Sequence, residues 1–251
     1  MRILGCATSN LKTSMNSDYF VKSGYLHNPE ASSLDKNGGT QVFWTEERLR
    51  TSSAYQYYVY SLARKRFQHD HLKSIADVGC GPAVKTKIFF GDLTREIFLF
   101  DQASIGYLAA SQLPTAKFTA IDLEKCSAIG THKADLVICS DVLEHLHNPI
   151  PCIDLCKNLA ATGGLLIFST PERDRLRGID CVKSGHPQHV REWNSIEFRK
   201  LLESCGLVVQ SEHLFPALRL SLVESISRVL MLGFANDSRW KSCQVKVCRI
   251  A

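Results

Sequence analysis

The chain contains five short apolar runs, separated by connectors long enough to form helices. The runs read SIADVGC, REIFLFD, AKFTAID, ADLVICSD and GGLLIFSTP, and they begin at Ser74, Arg95, Ala116, Ala134 and Gly163. Each run is rich in Ile, Val, Leu or Phe and mostly apolar on both faces, which is typical of strands covered on both sides of a parallel sheet. Parallel strands need crossover connections, and these are right-handed. We therefore predict a doubly wound α/β fold with a Rossmann-like sheet.

Two further β-like runs, LVVQSEHL and CQVKVCRI, extend the predicted sheet to seven mostly parallel strands. The sequence NSIEFRKLLESCG predicts a helix that Asn194 caps, with Glu197 at the capping-box position and Gly206 at its end. A helix is also predicted over residues 45–67. An amphipathic helix over residues 216–234 is predicted as an insertion before the last strand.

This pattern divides the chain into two parts. Residues 1–73 are predicted to form an amino-terminal arm with a lid helix, and residues 74–251 to form the sheet domain. Within that domain, residues 171–193 form a long polar loop and residues 215–242 form the helical insertion. A long loop at the active edge of a sheet normally serves as a lid or an acceptor wall, although a plain surface loop is the alternative.

The composition is that of an ordinary folded protein, with 45% apolar and 22% charged residues. The formal net charge of +5 is mild, and the basic residues are scattered. Nucleic-acid binders usually carry a concentrated basic stripe, so we expect no nucleic-acid partner. Several of the ten cysteines lie in apolar runs, which suits a reducing compartment. The first apolar stretch is too short for a secretory signal, so we predict a cytoplasmic protein.

The cysteines also bear on metal binding. Cys152 and Cys156 are one helical turn apart and could share a metal ion. However, the sequence shows no CxxC pair, no Cys/His cluster with zinc-finger spacing and no further ligand near these two residues. We therefore predict that the protein holds no metal.

The first apolar run ends in the turn Gly79–Ala83, which leaves the backbone bare at two places. A dinucleotide fingerprint requires a third glycine where this chain has Val84, and no GK[ST] phosphate loop is present. Asp77, directly before the turn, would face a pyrophosphate badly but suits an ammonium or sulfonium group. Asp101 lies 20 positions beyond Gly81, where a carboxylate can accept hydrogen bonds from a ribose diol.

Acidic residues close or follow the next runs as well, at Asp122 and Asp141. In open α/β sheets a ligand binds outside the carboxyl ends of the strands. Each acid alone could be an ordinary turn former or helix cap. Taken together, the four acids favour a hydroxyl-rich or cationic ligand. A positively charged nucleoside without phosphates meets these requirements, and S-adenosylmethionine fits that description.

The segments DVGCGPA, FLFDQ, AIDLE and ADLVICSDVLEHL together resemble the motif series of class I S-adenosylmethionine-dependent methyltransferases, in the same order and spacing. The resemblance covers residues 74–209 and departs from the family at Ala83, where glycine is usual. It implies that four groups of residues hold the cofactor. The methionine part would meet Asp77, Gly79, Cys80 and Gly81, the ribose Asp101 and Gln102, the adenine Asp122 and Leu123, and the sulfonium Ser140, Asp141 and Val142.

The resemblance also implies a role for the amino-terminal arm, which in such enzymes often closes over the cofactor carboxylate. Arg50 and Tyr57 are the candidates in this chain, with Arg50 chosen for its fork of hydrogen-bond donors. The alternative is that both residues belong to an ordinary solvated helix face.

The segment SDVLEHLHNP resembles the stretch in small-molecule methyltransferases where acceptor and sulfonium meet. Methyl transfer is an in-line displacement, so the enzyme must align the reactants and remove the acceptor proton. His145, one turn beyond Asp141, is the first candidate base, although a histidine on a helix is often structural. The long loop adds His186 and His189. Its segments STPERDRLRG and HVREW resemble loops of methyltransferases encoded with glycan-assembly enzymes.

These features predict a methyltransferase that acts on a hydroxyl of a sugar, a glycan or a related small polar metabolite. Methylation of nucleic-acid bases is disfavoured, because Ser140-Asp141 stands where amino-methylating enzymes have Asn/Asp-Pro-Pro-Tyr/Phe and no Pro-Cys pair is present there. The alternatives are a lipid-linked or quinone-like acceptor, an amine acceptor and a non-catalytic S-adenosylmethionine-binding protein. The amphipathic helix over 216–234 could dip into a membrane surface. A contact between the copies of a homodimer, or a cap over the acceptor, is the favoured role of that helix.

Overall fold

The computed structural model describes residues 19–31, 44–94, 96–126, 132–219 and 241–251. Within these residues the chain forms a single sheet with helices on both of its faces. The helices are α1 (Glu46–Thr51), α2 (Tyr57–His69), α3 (Val84–Phe90), α4 (Gly106–Gln112), α5 (Ile150–Leu159), α6 (Arg173–Arg177) and α7 (Ser195–Ser204). The strands are β1 (Ser74–Val78), β2 (Glu96–Asp101), β3 (Lys117–Ala120), β4 (Ala134–Ser140), β5 (Ala160–Pro171), β6 (Leu207–Phe215) and β7 (Cys243–Ile250).

The strand order confirms the predicted seven-stranded, mostly parallel sheet. The order is β3-β2-β1-β4-β5-β7-β6. Strands β1 to β5 pair in parallel, whereas β7 is antiparallel to both of its neighbours, β5 and β6. The order in which successive strands are added to the sheet reverses its direction between β1 and β4. In open α/β sheets, the crevice at the carboxyl ends of such strands is where ligands bind.

The central strands are buried on both faces, as their continuous apolar sequences predict. Successive residues of β1 belong to different parts of the core. Ala76 packs in a cluster with Val137 and side chains of α5 and α7. Ile75 packs on the other face, in a cluster with Leu136 and side chains of α2 and α3. Helix α2 therefore shares a core with the sheet, and the predicted domain boundary at residue 73 stays a prediction.

The prediction of one continuous helix over residues 45–67 is wrong, because the structure has two helices, α1 and α2, separated at Ser52–Gln56. The separating segment pairs with another part of the chain instead of continuing the helix. The backbone N–H of Gln56 donates to the carbonyl of Ala217 at 2.9 Å, and Gln56 adopts a left-handed conformation with φ of 54°. The Ser52 hydroxyl donates to a backbone carbonyl of α1 at 2.7 Å, which also competes with helix continuation.

The predicted capping box of α7 is confirmed, since the Asn194 side chain accepts from the N–H of Glu197 and the Glu197 side chain accepts from the N–H of Asn194. The predicted helix over residues 216–234 lies outside the described residues from position 220 onwards. Residues 216–219 are described and are not helical. Within the described part of the chain, the helices are too short or too polar to cross a membrane. The predicted cytoplasmic location and homodimer stay predictions.

A buried ion pair attaches the long loop over residues 171–193 to α7. The guanidinium of Arg173 donates to both carboxylate oxygens of Glu197, at 2.6 and 3.0 Å. Arg173 is fully buried, and its Nη1 also reaches the carbonyl of Glu192 at 3.3 Å. Because Glu197 is part of the α7 capping box as well, one carboxylate connects the start of the loop, its end and the following helix.

We predict that Arg173→Met lowers the free energy of unfolding by about 3–5 kcal/mol, because it leaves a buried carboxylate without its partner. Chemical denaturation followed by circular dichroism measures this change. Lys125→Met is the control, since Lys125 forms an exposed pair with Asp122 at 3.6 Å and its loss should change stability by less than about 1 kcal/mol. Equal effects of the two substitutions would contradict the importance of the buried pair.

Candidate active site

In the glycine turn after β1, every second residue from position 79 to position 83 has a left-handed backbone conformation. The φ angles are 74° at Gly79, 53° at Gly81 and 60° at Ala83. The N–H of Gly79 donates to the carbonyl of Phe100 at 2.8 Å, which fixes the turn to the end of β2. Ala83 stands where the resemblance leads one to expect glycine, and it adopts a conformation that is strained for a residue with a Cβ atom. Position 83 therefore has a backbone conformation typical of glycine, although the residue there is alanine.

Glycine is favoured at both positions because neighbouring side chains lie against the backbone there. A Cβ atom at Gly79 would lie 2.3 Å from Cγ2 of Val142, which no normal packing allows. A Cβ atom at Gly81 would lie 3.2 Å from the Trp44 ring. Val142, a predicted neighbour of the sulfonium, is thus placed directly over the turn. Trp44, which the sequence reasoning missed, covers the turn from the amino-terminal side.

Asp101 lies at the end of β2 with its carboxylate against the glycine turn. One carboxylate oxygen accepts from the N–H of Gly81 at 2.8 Å, and the other accepts from the N–H of Gln102 at 2.7 Å. These contacts orient the carboxylate toward the turn. The structure thus places Asp101 against the turn glycine 20 residues earlier, and its predicted contact with a ribose diol stays a prediction.

Asp77 is fully buried, and donors within the protein satisfy its carboxylate. The Tyr60 hydroxyl donates to its oxygens at 3.1 and 3.0 Å, and the Thr86 hydroxyl donates to one of them. Burial raises the pKa of Asp77, against the effects of Thr86, Lys85 and Tyr60. Lys85 itself has a pKa lowered by burial, with Asp77 and Asp141 opposing that shift. A direct contact of Asp77 with the cofactor stays a prediction.

The remaining predicted cofactor residues have less distinctive surroundings. Asp122 is exposed, and its side chain accepts from the N–H of Glu124 at 3.0 Å, as an ordinary turn former does. Leu123 packs at the edge of the core. Arg50 is exposed on α1, and the Tyr57 ring packs against Phe89. These contacts do not test the predicted roles in adenine or carboxylate binding, which stay predictions.

The segment after β4 begins with Asp141 in a left-handed conformation, with φ of 54°. Its N–H donates to the carbonyl of Ser169 at 3.0 Å, and the Ser140 and Ser169 hydroxyls are 2.7 Å apart. Burial raises the pKa of Asp141, while a hydrogen bond from Gln56 and the charge of Lys85 oppose the shift. A cavity opens beside this carboxylate. It is lined by Gln56, Asp141, Pro171, Leu176, Ala217, Ser242 and Cys243.

The three predicted catalytic histidines converge at this edge of the sheet. The ring centroid of His189 is 4.7 Å from that of His145 and 4.1 Å from that of His186. His145 lies on a single 3-10 turn, Leu143–His145, that follows β4. The other two histidines come from the long loop over residues 171–193. The structure therefore brings together side chains that are more than 40 residues apart in the sequence.

Hydrogen bonds fix the tautomers of these rings. His145 Nδ1 donates to the carbonyl of Gln188 at 2.9 Å, and His189 Nδ1 donates to Glu192 at 2.7 Å. His186 Nδ1 instead accepts from the N–H of Gln188, at 3.3 Å. Neutral rings of His145 and His189 thus carry their lone pair on Nε2, whereas that of His186 carries a proton there. Burial lowers the pKa of His145 to about 4, so this ring is neutral near pH 7.

Glu192 orients one ring of the histidine pocket, which is formed by His145, His186 and His189. Its fully buried carboxylate receives Arg177 at 3.2 and 3.1 Å and the Ser184 hydroxyl at 3.0 Å, besides His189. Burial alone would raise the pKa of Glu192, but the bonds from His189 and Arg177 outweigh it and lower the pKa to about 2. The sequence reasoning missed Glu192. Its position three residues after His189, in HVREW, was the available signal.

Glu144 is a second residue that the sequence reasoning missed, although it is part of the quoted segment SDVLEHLHNP. It is fully buried, and neither carboxylate oxygen has a hydrogen-bond partner among the described residues. Burial, together with the nearby charge of Asp141, raises the pKa of Glu144 well above its usual range, against the smaller effects of its own backbone N–H and of the nearby Thr170 hydroxyl. Its backbone carbonyl accepts from the N–H of Val190 at 2.8 Å, which ties it to the histidine loop.

The expectation that Cys152 and Cys156 have no further ligand nearby is wrong. Sγ of Cys139 lies 3.9 Å from Sγ of Cys152, and the ligand atoms of all three cysteines are within 4.8 Å of one another. Cys139 belongs to β4 and the other two belong to α5. The sequence could not show this, because the contact depends on how the helix packs on the sheet.

Comparison with known proteins identifies the family. A family model described as a methyltransferase domain matches residues 49–212, more than half of the chain. The chain belongs to the class I S-adenosylmethionine-dependent methyltransferases. The ubiquinone biosynthesis O-methyltransferase of Glaesserella parasuis serovar 5 (strain SH0165) is 34% identical over 110 residues, which are 40% of this chain and 46% of that protein. The chain spans about half the length of the curated relatives that it matches.

Solved structures share the fold at low sequence identity. The methyltransferase in complex with the Haloferax volcanii Trm112 methyltransferase activator aligns with a TM-score of 0.61 and 12% identity, covering 82% of this chain and 94% of that one. The N-methyltransferase NodS of Bradyrhizobium japonicum WM9, in complex with S-adenosyl-L-homocysteine, aligns with a TM-score of 0.57 and 14% identity, covering 82% and 93%. These likenesses confirm the methyltransferase fold.

We predict that Gly79→Ala lowers the free energy of unfolding by about 1–3 kcal/mol, because the new methyl group collides with Val142. Displacement of the turn should also weaken the binding of S-adenosylhomocysteine, the demethylated cofactor, as measured by calorimetry. Gly178→Ala is the matched control, since its φ is 97° and no atom lies within 4 Å of the added Cβ. It should cost about 1 kcal/mol of stability through backbone strain and leave the affinity unchanged. Equal affinities of the two variants would contradict the proposed closeness of turn and cofactor.

Proposed function

We propose that the protein transfers a methyl group from S-adenosylmethionine to a hydroxyl of a small molecule with an apolar ring, such as a phenol or a quinol. The observation that carries this proposal is the position of the histidine pocket. One of its members, His145, lies on the segment that follows Asp141 and Val142, and Val142 also lies close to the glycine turn. One short segment of the chain therefore borders both the turn and the histidines.

The residues at the turn fit the cofactor. Gly79 and Gly81 carry no Cβ atom, so the side chains of Val142 and Trp44 can lie close to the turn, and the sequence has no GK[ST] phosphate loop. The carboxylate of Asp101 is held against the turn, where it would receive the ribose hydroxyls. Cys80, Gln102, Asp122, Leu123 and Ser140 would complete the site as the family resemblance implies. The cofactor supplies an electrophilic methyl group on a positively charged sulfur.

On the acceptor side, the chain offers imidazole rings. Because Nδ1 of His145 and of His189 is already donating, the Nε2 lone pairs are available to a hydroxyl group. His186, in the opposite tautomer, would present an N–H group instead and would orient the acceptor as a donor. These three side chains would hold the acceptor oxygen in line with the methyl group, which is the main requirement of a displacement reaction.

The cavity beside Asp141 supports a ring-shaped rather than a sugar-like acceptor. Pro171, Leu176, Ala217 and Cys243 make most of its lining apolar. Sugar sites need many hydrogen-bonding groups, whereas an aromatic ring is stabilised by burial of apolar surface. The curated relatives named ubiquinone biosynthesis O-methyltransferases favour the same class of acceptor. We therefore place the quinone-like acceptor ahead of the glycan acceptor that the loop sequence predicts.

We predict that Asp101→Asn weakens the binding of S-adenosylhomocysteine about 10–100-fold, since charge-assisted hydrogen bonds contribute about 1.5–3 kcal/mol. Isothermal titration calorimetry measures this affinity. Asp135→Asn is the matched control, because Asp135 also accepts backbone N–H groups, at 2.8 and 3.2 Å, but next to the amino end of β1. It should reduce stability without changing the affinity. Unaltered affinity in Asp101→Asn would refute the ribose assignment.

The acceptor class is tested by incubating the protein with methyl-labelled S-adenosylmethionine and paired acceptors, followed by mass spectrometry. An alkyl-substituted catechol should gain one methyl group, and a simple glycoside or a nucleoside should gain none. Methylation of the glycoside alone would overturn the proposed ring specificity. Binding of S-adenosylhomocysteine without transfer to any acceptor would instead favour the non-catalytic alternative.

A further inference from the structure

The buried carboxylate of Glu144 is incompletely satisfied by the described protein. Both of its oxygens lie out of contact with solvent, and although the Thr170 hydroxyl is near enough to favour the ionised form, no described residue makes a close hydrogen bond to either oxygen. Burying a carboxylate in this state is unfavourable by several kcal/mol. Its backbone is fixed, because its carbonyl accepts from Val190 at 2.8 Å and from Arg191 at 3.4 Å. The main chain at Glu144 is therefore held in place, with the carboxylate buried beside it.

Two imidazole rings lie close to this carboxylate. One ring nitrogen of His145, one of His189 and a carboxylate oxygen of Glu144 all lie within 4.8 Å of one another. Ligand atoms around a bound first-row metal ion, at about 2.0–2.2 Å from the ion, are about 3–4 Å apart. Small rotations of the three side chains would close that difference. Two imidazoles and one carboxylate suit Mn²⁺, Fe²⁺, Co²⁺ and Zn²⁺.

The second hydrogen bond of each histidine is the one that metal-ligating histidines make. Such rings almost always donate their other N–H to a carboxylate or a backbone carbonyl. His189 donates to Glu192, which Arg177 and Ser184 hold in turn, and His145 donates to the carbonyl of Gln188. His186, the third ring, has the opposite tautomer and so presents an N–H rather than a lone pair. This difference selects two of the three histidines.

We propose that Glu144, His145 and His189 form a binding site for one divalent transition-metal cation, at the acceptor end of the active site. Three protein ligands leave coordination positions open, which is the arrangement of catalytic rather than structural metal sites. The binding claim stands on these three side chains alone. Its role in the reaction rests on the proposed methyl transfer. With a cation bound, the Nε2 lone pairs of His145 and His189 would coordinate it instead of accepting from the acceptor hydroxyl. The cation would then lower the pKa of that hydroxyl, whose proton would pass to solvent water before the oxygen takes the methyl group.

The other cluster of metal-ligating side chains does not carry such a proposal. Cys139, Cys152 and Cys156 are fully buried in the apolar core between β4 and α5. Their thiols are in contact with one another, and buried cysteines of this kind pack as small apolar side chains. No orphaned polar group among the described residues points into that cluster.

We predict that the full chain, after removal of metals with a chelator, binds one Mn²⁺ ion. Mn²⁺ is the probe because it prefers oxygen and nitrogen ligands over thiolates and gives a paramagnetic resonance signal. Calorimetry and the resonance of free Mn²⁺ measure the affinity. Glu144→Gln, which keeps the size of the side chain, should weaken binding by more than the roughly 10–100-fold that loss of an outer partner costs. Glu192→Gln should fall within that range.

His186→Phe and Cys152→Ser are the matched controls, since each changes a potential ligand outside the proposed set. Both should keep the affinity of the unmodified chain for Mn²⁺. Loss of binding in His186→Phe equal to that in Glu144→Gln would overturn the assigned ligands. Mn²⁺ should also raise the melting temperature of the unmodified chain but not that of Glu144→Gln, which shows that the variant is folded and lacks the site.

The same samples separate this proposal from the proposed function. If S-adenosylhomocysteine binds but millimolar Mn²⁺ does not, the metal site is refuted and the methyltransferase proposal is unaffected. If Mn²⁺ binds and S-adenosylhomocysteine does not, the metal site holds and the proposed methyl transfer fails.

Discussion

The buried carboxylate of Asp77 is the contact on which the geometry of the glycine turn depends. It lies one residue before the end of β1, and donors from two helices reach it, Tyr60 from α2 and Thr86 from α3. The turn connects β1 to α3, so these bonds fix the structure on both sides of it. Without these hydrogen bonds the carboxylate would be buried and unpaired, and the folded state would be less stable by several kcal/mol. The turn is therefore positioned by polar contacts in the core as well as by its own glycines.

The acceptor end of the site depends on a comparable set of contacts. The long loop over residues 171–193 carries two of the histidines, and it is attached at its start to α7 by the Arg173–Glu197 pair. Glu192 then joins the loop to itself through Arg177 and fixes the ring of His189. Buried polar networks of this kind rigidify a structure when every member is satisfied. A loop with these contacts can place a side chain as accurately as a helix or a strand does.

The sequence predicted the elements whose signals are local. Continuous apolar runs gave the central strands, and the pattern around Asn194 gave the start of α7. The spacing of Asp101 from Gly81 led to the predicted ribose contact, but the hydrogen bond from the Gly81 N–H to this carboxylate was not predicted. The break between α1 and α2 could not be predicted, since it depends on pairing with residues 217–219, more than 150 positions later. The contact of Cys139 with the thiols of α5 was hidden for the same reason.

The two fully buried carboxylates at this edge of the sheet differ in how completely the protein provides them with hydrogen bonds. Asp77 and Glu144 are equally inaccessible to solvent, and both have a pKa that burial raises. The protein surrounds Asp77 with hydroxyl donors, as most buried polar groups require. Near Glu144 it places the Thr170 hydroxyl, which makes no close hydrogen bond to the carboxylate, and two imidazoles with fixed tautomers. Because the same fold satisfies one acid completely, the unsatisfied state of the other is a feature of the site and not of the fold. Violations of this kind are expected where a ligand completes the structure.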